Sequence, residues 1–421
     1  MRRVLIVAYY FPPIGGIGSI RLARFAELLP EFGWDPVVLA PRETPHASDP
    51  HLRFSEEQVV RSHSIEISRL GRMLPGTRAA TPSAAQAKRG VPRRRITRNA
   101  VRRAGLRLIF PDAQIGWYPG AVFAGLRRMR QGTFDAVYSS AFPMTGHLIG
   151  RTLSRRRRLP WVAEYRDPWS ALLPPGSPHR HRAEALERAI AKDAAALVMP
   201  SPTWATHFGD LWGRDIAVIP NGFDLVNRPH PIAPARPTIT YLGTYYPGRQ
   251  SLVPLWESVA RMRRDATSEL PRIRVIGELP PAGRAELQTS GIADLLEETG
   301  LVSHERAMRL LSSSTLLVAS GEQHGGVLGR GTIAAKLFEY LGTPRPILYL
   351  GNPADDAARM LSAHAGCRVA RHSDARAIDA ALEDGLAGRS YDREVVDLTR
   401  QRGARELASV LSNVARPSSR K

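Results

Sequence analysis

Short runs of β-branched and aliphatic residues alternate with longer amphipathic stretches along most of this chain. This alternation is typical of parallel β-sheets whose strands are covered by helices. In the first half, the predicted strands are residues 3–10, 36–40, 134–139, 161–165, 196–200 and 216–220. The predicted helices between them are residues 19–32, 144–154, 180–194 and 203–211.

A proline-rich segment interrupts this pattern. Residues 228–237 contain four prolines, so they can continue neither a helix nor a central strand. The alternation then restarts, with predicted strands at 238–244, 273–277, 315–319, 346–350 and 368–370. The predicted helices of this half are residues 252–263, 304–312, 332–342 and 354–363.

The pattern therefore predicts an α/β protein of two doubly wound, Rossmann-like domains. We expect an N-terminal domain over residues 1–229, a linker at 230–237, a second domain over 238–389 and a helical tail at 390–421. Ligands of doubly wound sheets bind outside the carboxyl ends of the strands. With two such domains, we expect the ligand site in the cleft that they face.

Composition excludes several classes of protein. Hydrophobic residues make up 43% of the chain, which is too many for a disordered protein. The single cysteine, Cys367, can form neither an internal disulfide nor a cysteine-based zinc site. No uncharged run approaches the roughly 18 apolar residues of a membrane-spanning helix, and the N-terminal apolar run lacks a signal-peptide cleavage pattern. We expect a cytoplasmic protein, either soluble or at the inner face of the cell membrane.

The net charge of +20 raises the alternative of a basic nucleic-acid-binding protein. Aromatic residues are only 7% of the chain and are not interleaved with a basic module, so we predict no nucleic-acid partner. Residues 67–111 contain twelve basic and no acidic residues. Two interpretations stay open for this segment: a helix at an anionic membrane surface, or a flexible arginine-rich insertion.

The first βα connection contains Gly15 and Gly16, directly after a predicted strand and before a predicted helix. Glycines there let the backbone approach an anionic ligand, and the helix start presents unpaired N–H groups. The spacing is not G-x-G-x-x-G, and Ala40-Pro41-Arg42 stands where a dinucleotide site needs an acidic residue. The alternative is a simple tight turn.

Two further candidates follow strands of the first half. Asp167 lies in a run with Glu164 and Arg166 at the end of a predicted strand, where side chains face the ligand side of the sheet. His147 lies in the first turns of a predicted helix and is able to donate to a sugar hydroxyl or a phosphate. A lone histidine is also common as a structural residue.

The second half offers a denser set of candidates. Arg249 joins a strand end to a helix start, where it can pair with a phosphate. The glycine-rich segment 322–332, which includes Glu322, Gly325 and Gly326, predicts a flexible loop suited to a pyrophosphate. It leads into a helix on which Lys336 and Glu339 share one face. A surface ion pair between these two is the alternative.

Taken together, these segments resemble family 4 of the retaining, nucleotide-sugar-dependent glycosyltransferases, which have the GT-B fold. The resemblance is closest to bacterial members of polysaccharide and cell-envelope pathways. It rests on Gly15-Gly16, Tyr165-Arg166-Asp167-Pro168-Trp169, Ile219-Pro220-Asn221-Gly222-Phe223-Asp224 and Lys336-Leu337-Phe338-Glu339-Tyr340-Leu341 followed by Arg345-Pro346-Ile347.

The resemblance implies a role for each candidate. Glu339 would hold the nucleotide ribose, Arg249 and Lys336 would bind the donor phosphates, and the Gly15-Gly16 loop would lie beneath them. His147 would contact the donor sugar, and Asp167 is a further candidate catalytic residue. The family's Glu-x7-Glu motif would need a glutamate where this chain has Gly331. Glu322 or the loop amides, including those of Gly325 and Gly326, would then hold the hexose.

We therefore predict a metal-independent, retaining hexosyltransferase that needs no cofactor beyond its nucleoside-diphosphate sugar donor. No carboxylate cluster at metal-ligand spacing stands out in the sequence, which favours the same conclusion. The predicted acceptor is a sugar or a lipid-linked sugar hydroxyl. The alternative enzyme is a nucleotide-sugar epimerase on the same scaffold, because a fold does not fix a function.

Overall fold

The computed structural model describes residues 1–42, 54–65, 110–224, 232–265, 269–323 and 325–415. The chain forms two compact units. Unit 1 contains Met1–Met199, Trp212–Ala217 and the chain from Ala404, and unit 2 contains Pro200–Leu211 and Val218–Gly403. Within the described ranges, no helix is both long enough and apolar enough to cross a membrane.

Unit 1 is built on a seven-stranded sheet in the order β3-β2-β1-β4-β5-β6-β7, in which the pairs from β3 to β6 are parallel. Its strands are β1 (Arg2–Val7), β2 (Trp34–Pro41), β3 (Val59–Ser62), β4 (Ala136–Ala141), β5 (Trp161–Tyr165), β6 (Ala196–Met199) and β7 (Ile216–Val218). Its helices include α1 (Ile17–Leu28), α2 (Tyr118–Arg130), α3 (Thr145–Arg157) and α4 (Pro178–Asp193). Four successive residues of β1, from Val4 to Val7, are fully buried. A strand covered on both faces needs such a continuous apolar run.

Unit 2 repeats this plan with six parallel strands in the order β10-β9-β8-β11-β12-β13. The strands are β8 (Thr238–Leu242), β9 (Arg272–Ile276), β10 (Leu296–Gly300), β11 (Leu316–Ser320), β12 (Ile347–Leu350) and β13 (Cys367–Ala370). The helices are α5 (Pro202–Trp212), α6 (Val253–Asp265), α7 (Pro281–Thr289), α8 (His304–Ser312), α9 (Gly326–Gly331), α10 (Lys336–Leu341), α11 (Asp356–Ser362) and α12 (Ala375–Leu386). A further helix, α13 (Arg400–Val414), begins in unit 2 and continues into unit 1.

The core of unit 2 lies on both faces of its sheet. Leu316 and Val318 of β11 belong to one apolar cluster, whereas Leu317 and Ala319 belong to a second. Because successive side chains of a strand point to opposite faces, helices cover both sides. The predicted α/β class with two Rossmann-like domains is confirmed.

The order of strands fixes where ligands bind. In unit 1 the strand order reverses between β1 and β4, and in unit 2 it reverses between β8 and β11. The loops that leave the two carboxyl ends at such a reversal diverge to opposite faces, which opens a crevice. Each unit therefore has one such switch point.

The structure differs from the sequence pattern at the sheet edges, in one loop, and in the helices α2, α7 and α12, which were not among the predicted helices. The edge strands β3 and β10 were not predicted, because edge positions carry partly exposed and charged residues instead of apolar runs. Part of the predicted loop 322–332 is the helix α9. Contacts place most of α5 in unit 2 and the chain from Ala404, within α13, in unit 1, a division that differs from the predicted boundaries. A helical pattern alone does not reveal which sheet the helix covers.

Candidate functional site

Three of the predicted residues, Arg249, Glu322 and Lys336, lie around the switch point of unit 2 together with Gly243, which was not predicted. Gly243 and Arg249 belong to the loop after β8, Glu322 belongs to the loop after β11, and Lys336 begins α10. We call these four residues the switch-point site. Their position matches the place where doubly wound sheets bind their ligands.

Lys336 places an ammonium group against the end of β8. Its Nζ lies 3.7 Å from the centroid of the Tyr241 ring. It would also lie 3.7 Å from a Cβ built on Gly243, which has a φ of +96°. Burial lowers the pKa of Lys336 from 10.5 to about 7. Among the described residues no carboxylate forms an ion pair with Lys336, so an anionic ligand would supply the missing countercharge.

Arg249 and Glu322 bind each other in this conformation. Arg249 Nη2 donates to Glu322 Oε1 at 2.8 Å, and Nε donates to Oε2 at 3.2 Å. The backbone N–H of Gln323 also donates to the carbonyl of Arg249 at 2.7 Å. The Arg249 side chain is 59% exposed, so a phosphate can reach it from solvent. Arg249, the residue predicted to bind a phosphate, and Glu322, a residue predicted to bind the sugar, thus contact each other directly.

His372, which follows β13, supports the same loops and was missed in the sequence. Its Nε2 lies 3.0 Å from Ser320 Oγ, and that oxygen accepts the backbone N–H of Ser251 at 3.2 Å. These contacts join the chain after β13 to the end of β11 and to the loop that carries Arg249. Nothing in the local sequence around His372 indicates this role, because the contact depends on the order of the strands.

Glu339 lies one helical turn after Lys336, but the two do not pair. Glu339 Oε1 accepts a hydrogen bond from Arg400 Nη2 at 2.7 Å, and Arg400 Nη1 donates to Asp224 Oδ2 at 2.6 Å. The predicted alternative of a Lys336–Glu339 surface pair is therefore wrong. Glu339 is only 14% exposed, and its second carboxylate oxygen has no hydrogen-bond partner among the described residues.

The glycines after Glu322 do not form one long flexible loop. Gly325 precedes α9 and Gly326 begins it with a φ of +85°, so a helix occupies most of the predicted loop. At the end of α9, a Cβ on Gly331 would lie 2.2 Å from two ring atoms of Trp204. The Trp204 indole N–H donates to the carbonyls of Val327 and Leu328. The tryptophan thus fills the space that a side chain at position 331 would need.

We expect Gly331→Ala to destabilise the protein by about 1–3 kcal/mol, because the new methyl group overpacks against the Trp204 ring. Chemical denaturation measures the change. Gly325→Ala is the matched control, since a Cβ there has open space around it and its φ is −67°. Adding Trp204→Ala should make the Gly331→Ala change nearly neutral. Equal stability of Gly331→Ala and wild type would contradict this account.

In unit 1, Gly15 and Gly16 connect β1 to α1 at the switch point. Gly16 has a φ of +99°, which favours glycine. A Cβ on Gly18 would lie 1.8 Å from Arg166 Nη1, so the start of α1 packs closely on that arginine. Arg166 Nη2 donates to the Phe142 carbonyl at 2.7 Å, and its neighbour Asp167 is exposed.

Glu164, in the same run as Asp167, is buried and is bound by neighbouring protein groups. It accepts hydrogen bonds from Arg21 at 2.7 and 3.0 Å, from Tyr138 at 2.7 Å and from Ser140 at 2.6 Å. Burial alone would raise its pKa, but the Arg21 guanidinium and these hydrogen bonds hold the pKa below its usual value.

In the described part of the chain, no three His, Cys, Asp or Glu side chains cluster as metal ligands would.

His147 lies in α3, as predicted, but in the core of unit 1. It is fully buried, with Nδ1 2.8 Å from Ser139 Oγ and its ring centroid 4.7 Å from that of Tyr165. Burial lowers its pKa to about 3, so the imidazole is neutral at physiological pH. Its Nε2 has no hydrogen-bond partner within the described part of the chain. Contact with a donor sugar stays a prediction and would require access to this buried position.

Comparison with known proteins agrees with this architecture. Residues 15–222 match the family model described as glycosyl transferase 4-like domain. No curated protein sequence matches the chain.

Several solved glycosyltransferase structures share the fold over nearly the whole length. A sucrose-phosphate synthase from Thermosynechococcus elongatus has a TM-score of 0.57 at 14% identity, covering 99% of this chain and 95% of that one. The lipopolysaccharide outer core galactosyltransferase WaaB has a TM-score of 0.57 at 11% identity, covering 98% and 99%. Anabaena HepE, solved with UDP and glucose, has a TM-score of 0.54 at 13% identity, covering 98% and 97%. Residues 15–222 are thus similar to a glycosyl transferase 4-like domain, and the chain shares the GT-B fold of these solved glycosyltransferases.

Proposed function

We propose that the protein is a retaining glycosyltransferase that moves a hexose from a nucleoside-diphosphate sugar to an acceptor hydroxyl. The acceptor belongs to polysaccharide, glycolipid or cell-envelope glycan synthesis. One observation carries the proposal: the Lys336 amino group lies buried at the carboxyl end of β8 with no carboxylate partner among the described residues. A diphosphate supplies the countercharge. The glycosyl transferase 4-like match and the resemblance to family 4 support the same assignment.

In the proposed reaction, the bond between the anomeric carbon and the phosphate oxygen breaks as the acceptor oxygen bonds to the same face of that carbon. The acceptor proton passes to the departing phosphate oxygen. Negative charge develops on the leaving diphosphate, so Lys336 and Arg249 stabilise the transition state more than the ground state. Lys336 and Arg249 supply this stabilisation, and the proposed reaction includes no cofactor.

Glu322 has a double role in this scheme, because it occupies Arg249 until the donor arrives and then holds the sugar. We expect Glu322→Gln to bind a nucleoside diphosphate about two- to fivefold more tightly, since an exposed ion pair no longer competes. The same variant should bind the complete nucleotide sugar more weakly than wild type. Calorimetry with both ligands measures the split, and Glu257→Gln, an exposed carboxylate on α6, is the control. Parallel changes for the two ligands would contradict the double role.

A lipid-linked acceptor would place the protein at an anionic membrane surface. The arginine-rich segment 67–111 that predicts this contact falls almost entirely outside the described residues. We expect wild type to float with anionic but not neutral vesicles at low salt, because each basic residue near an anionic surface contributes about 1 kcal/mol. A variant with Arg94, Arg95, Arg98 and Arg102 changed to Gln should stay unbound. Wild type that remains in the soluble fraction would favour a soluble acceptor.

The direct test of the proposed function has two steps. Thermal unfolding with a panel of nucleotides identifies the donor base, and a ligand at a hundred times its dissociation constant should stabilise by about 2.7 kcal/mol. Labelled nucleotide sugar is then incubated with and without acceptor sugars. A transferase gives a product of retained anomeric configuration only with acceptor, whereas turnover of the donor into another nucleotide sugar without acceptor would indicate the epimerase. Salt-dependent retention on nucleic acid without any donor binding would favour the basic nucleic-acid-binding alternative.

A further inference from the structure

We propose that Arg400 is a positioning residue for donor recognition, because it holds the Glu339 carboxylate so that one oxygen is left for the ribose diol. The inference rests on the proposed function, since the ligand must be a nucleotide. Arg400 lies at the start of α13 and within the predicted helical tail, which the sequence did not connect with any site.

The Arg400 guanidinium bridges two carboxylates. Its Nη1 donates to Asp224 at 2.6 Å and its Nη2 donates to Glu339 at 2.7 Å. The three side chains are 13–14% exposed. Asp224 belongs to one motif of the family resemblance and Glu339 to another, so Arg400 connects two segments that are far apart in sequence. The planar fork of arginine makes both contacts at once, whereas a lysine ammonium has no such fixed geometry.

Backbone hydrogen bonds hold Arg400 in position. The Arg400 N–H donates to the Phe223 carbonyl at 3.0 Å, and the Phe223 N–H donates to the Leu398 carbonyl at 3.2 Å. A Cβ on Gly222 would lie 2.7 Å from the Arg400 nitrogen, so only glycine permits this approach. Phe223 in turn packs against Gly342 at the end of α10. The guanidinium is thus held in place relative to the helix that carries Glu339.

The open oxygen of Glu339 suits a sugar diol. One carboxylate oxygen is bound by Arg400, and the other has no partner among the described residues. An ionised carboxylate only accepts hydrogen bonds, and the hydroxyls of a ribose are donors. Lys336 lies three residues earlier on the same helical face, where Cβ atoms are about 5–6 Å apart. A phosphate on Lys336 therefore brings the ribose of the same nucleotide towards Glu339.

The ribose contact is made equally in the ground state and in the transition state. Losing it should therefore raise the KM for the donor and leave kcat nearly unchanged. In Arg400→Lys, Glu339 keeps its charge but loses its fixed orientation. The variant should bind the donor more weakly only because it loses the hydrogen bond between Glu339 and a ribose hydroxyl.

The test compares UDP with 2′-deoxy-UDP, or the guanosine pair if the nucleotide screen favours guanosine. Wild type is expected to prefer the ribonucleotide by about tenfold, as for a hydrogen bond to a charged group. Arg400→Lys should bind the two within about twofold of each other while its affinity for the 2′-deoxy ligand stays near wild type. Arg402→Lys, on the same helix and beside the exposed Asp397, is the matched control. Asp224→Asn should also weaken the preference for the ribonucleotide. It replaces Arg400→Lys in the test if that variant does not fold.

The outcomes separate the inference from the function on which it rests. An unchanged ribose preference in the folded Arg400→Lys or Asp224→Asn variant would overturn the role of Arg400. Equal binding of both ligands by wild type would overturn the contact between Glu339 and the ribose, and with it this inference. Failure of wild type to bind any nucleotide would instead overturn the proposed function itself.

Discussion

Replacing Lys336 by methionine is expected to lower glycosyl transfer by about a hundred- to a thousandfold, the usual loss for one group that stabilises developing negative charge. Methionine keeps most of the apolar stem against Tyr241 and removes only the ammonium. The turnover rate should fall more than the affinity for a nucleoside monophosphate, because charge on the leaving diphosphate grows in the transition state. Lys192→Met, an exposed lysine on α4, is the control.

The same substitution should stabilise the unliganded protein. The folded protein holds Lys336 with a pKa of about 7, whereas the unfolded chain has the ordinary value of 10.5. Between these values the unfolded state binds more protons, so the free energy of unfolding of wild type rises with pH from about 7 to 10.5. Lys336→Met removes this contribution, and its advantage over wild type is largest below pH 7. Denaturation at several pH values measures the slope.

A bound diphosphate should counteract the lowering of the Lys336 pKa by burial. Its negative charge raises the pKa of Lys336, so binding takes up a proton near neutral pH and weakens as pH rises. Calorimetry in buffers with different ionisation enthalpies detects that proton in wild type. Its presence in Lys336→Met would show that another group takes up the proton. A Lys336→Met variant with normal turnover would remove Lys336 from the site.

Glu339→Ala is expected to weaken donor binding roughly 10- to 150-fold, which corresponds to about 1.5–3 kcal/mol for a hydrogen bond to a charged group. The fold should survive, because Glu339 is partly exposed and Arg400 keeps Asp224 as a partner. Calorimetry with the nucleoside diphosphate and steady-state kinetics measure affinity and KM. Donor affinity and turnover equal to wild type would end the ribose assignment.

The fold was predictable because its signal is local. The apolar run Val4–Val7 and the alternation of strands and helices can both be recognised from consecutive residues. The topology follows from the right-handed crossovers of parallel strands. The edge strands β3 and β10 escaped prediction because an edge needs fewer apolar residues. The helix α9 escaped because its glycines indicate a loop, whereas the Trp204 indole stabilises its carbonyls from another segment.

The candidate site was predictable only in part. The sequence could place Lys336 and Glu339 on one face of a helix, but their partners come from elsewhere in the chain. Tyr241 lies on β8, and Arg400 follows Glu339 by 61 residues. Arg249 and Glu322 were named separately, yet their pairing depends on the adjacency of β8 and β11. Contacts set by strand order leave no mark in local sequence.

The most direct test of the central claim is a crystal structure of the wild-type protein with its preferred nucleoside diphosphate. We expect a phosphate oxygen within hydrogen-bonding distance of Lys336 Nζ at the carboxyl end of β8, with the ribose hydroxyls on Glu339. A nucleotide bound with its diphosphate away from Lys336 would contradict the account.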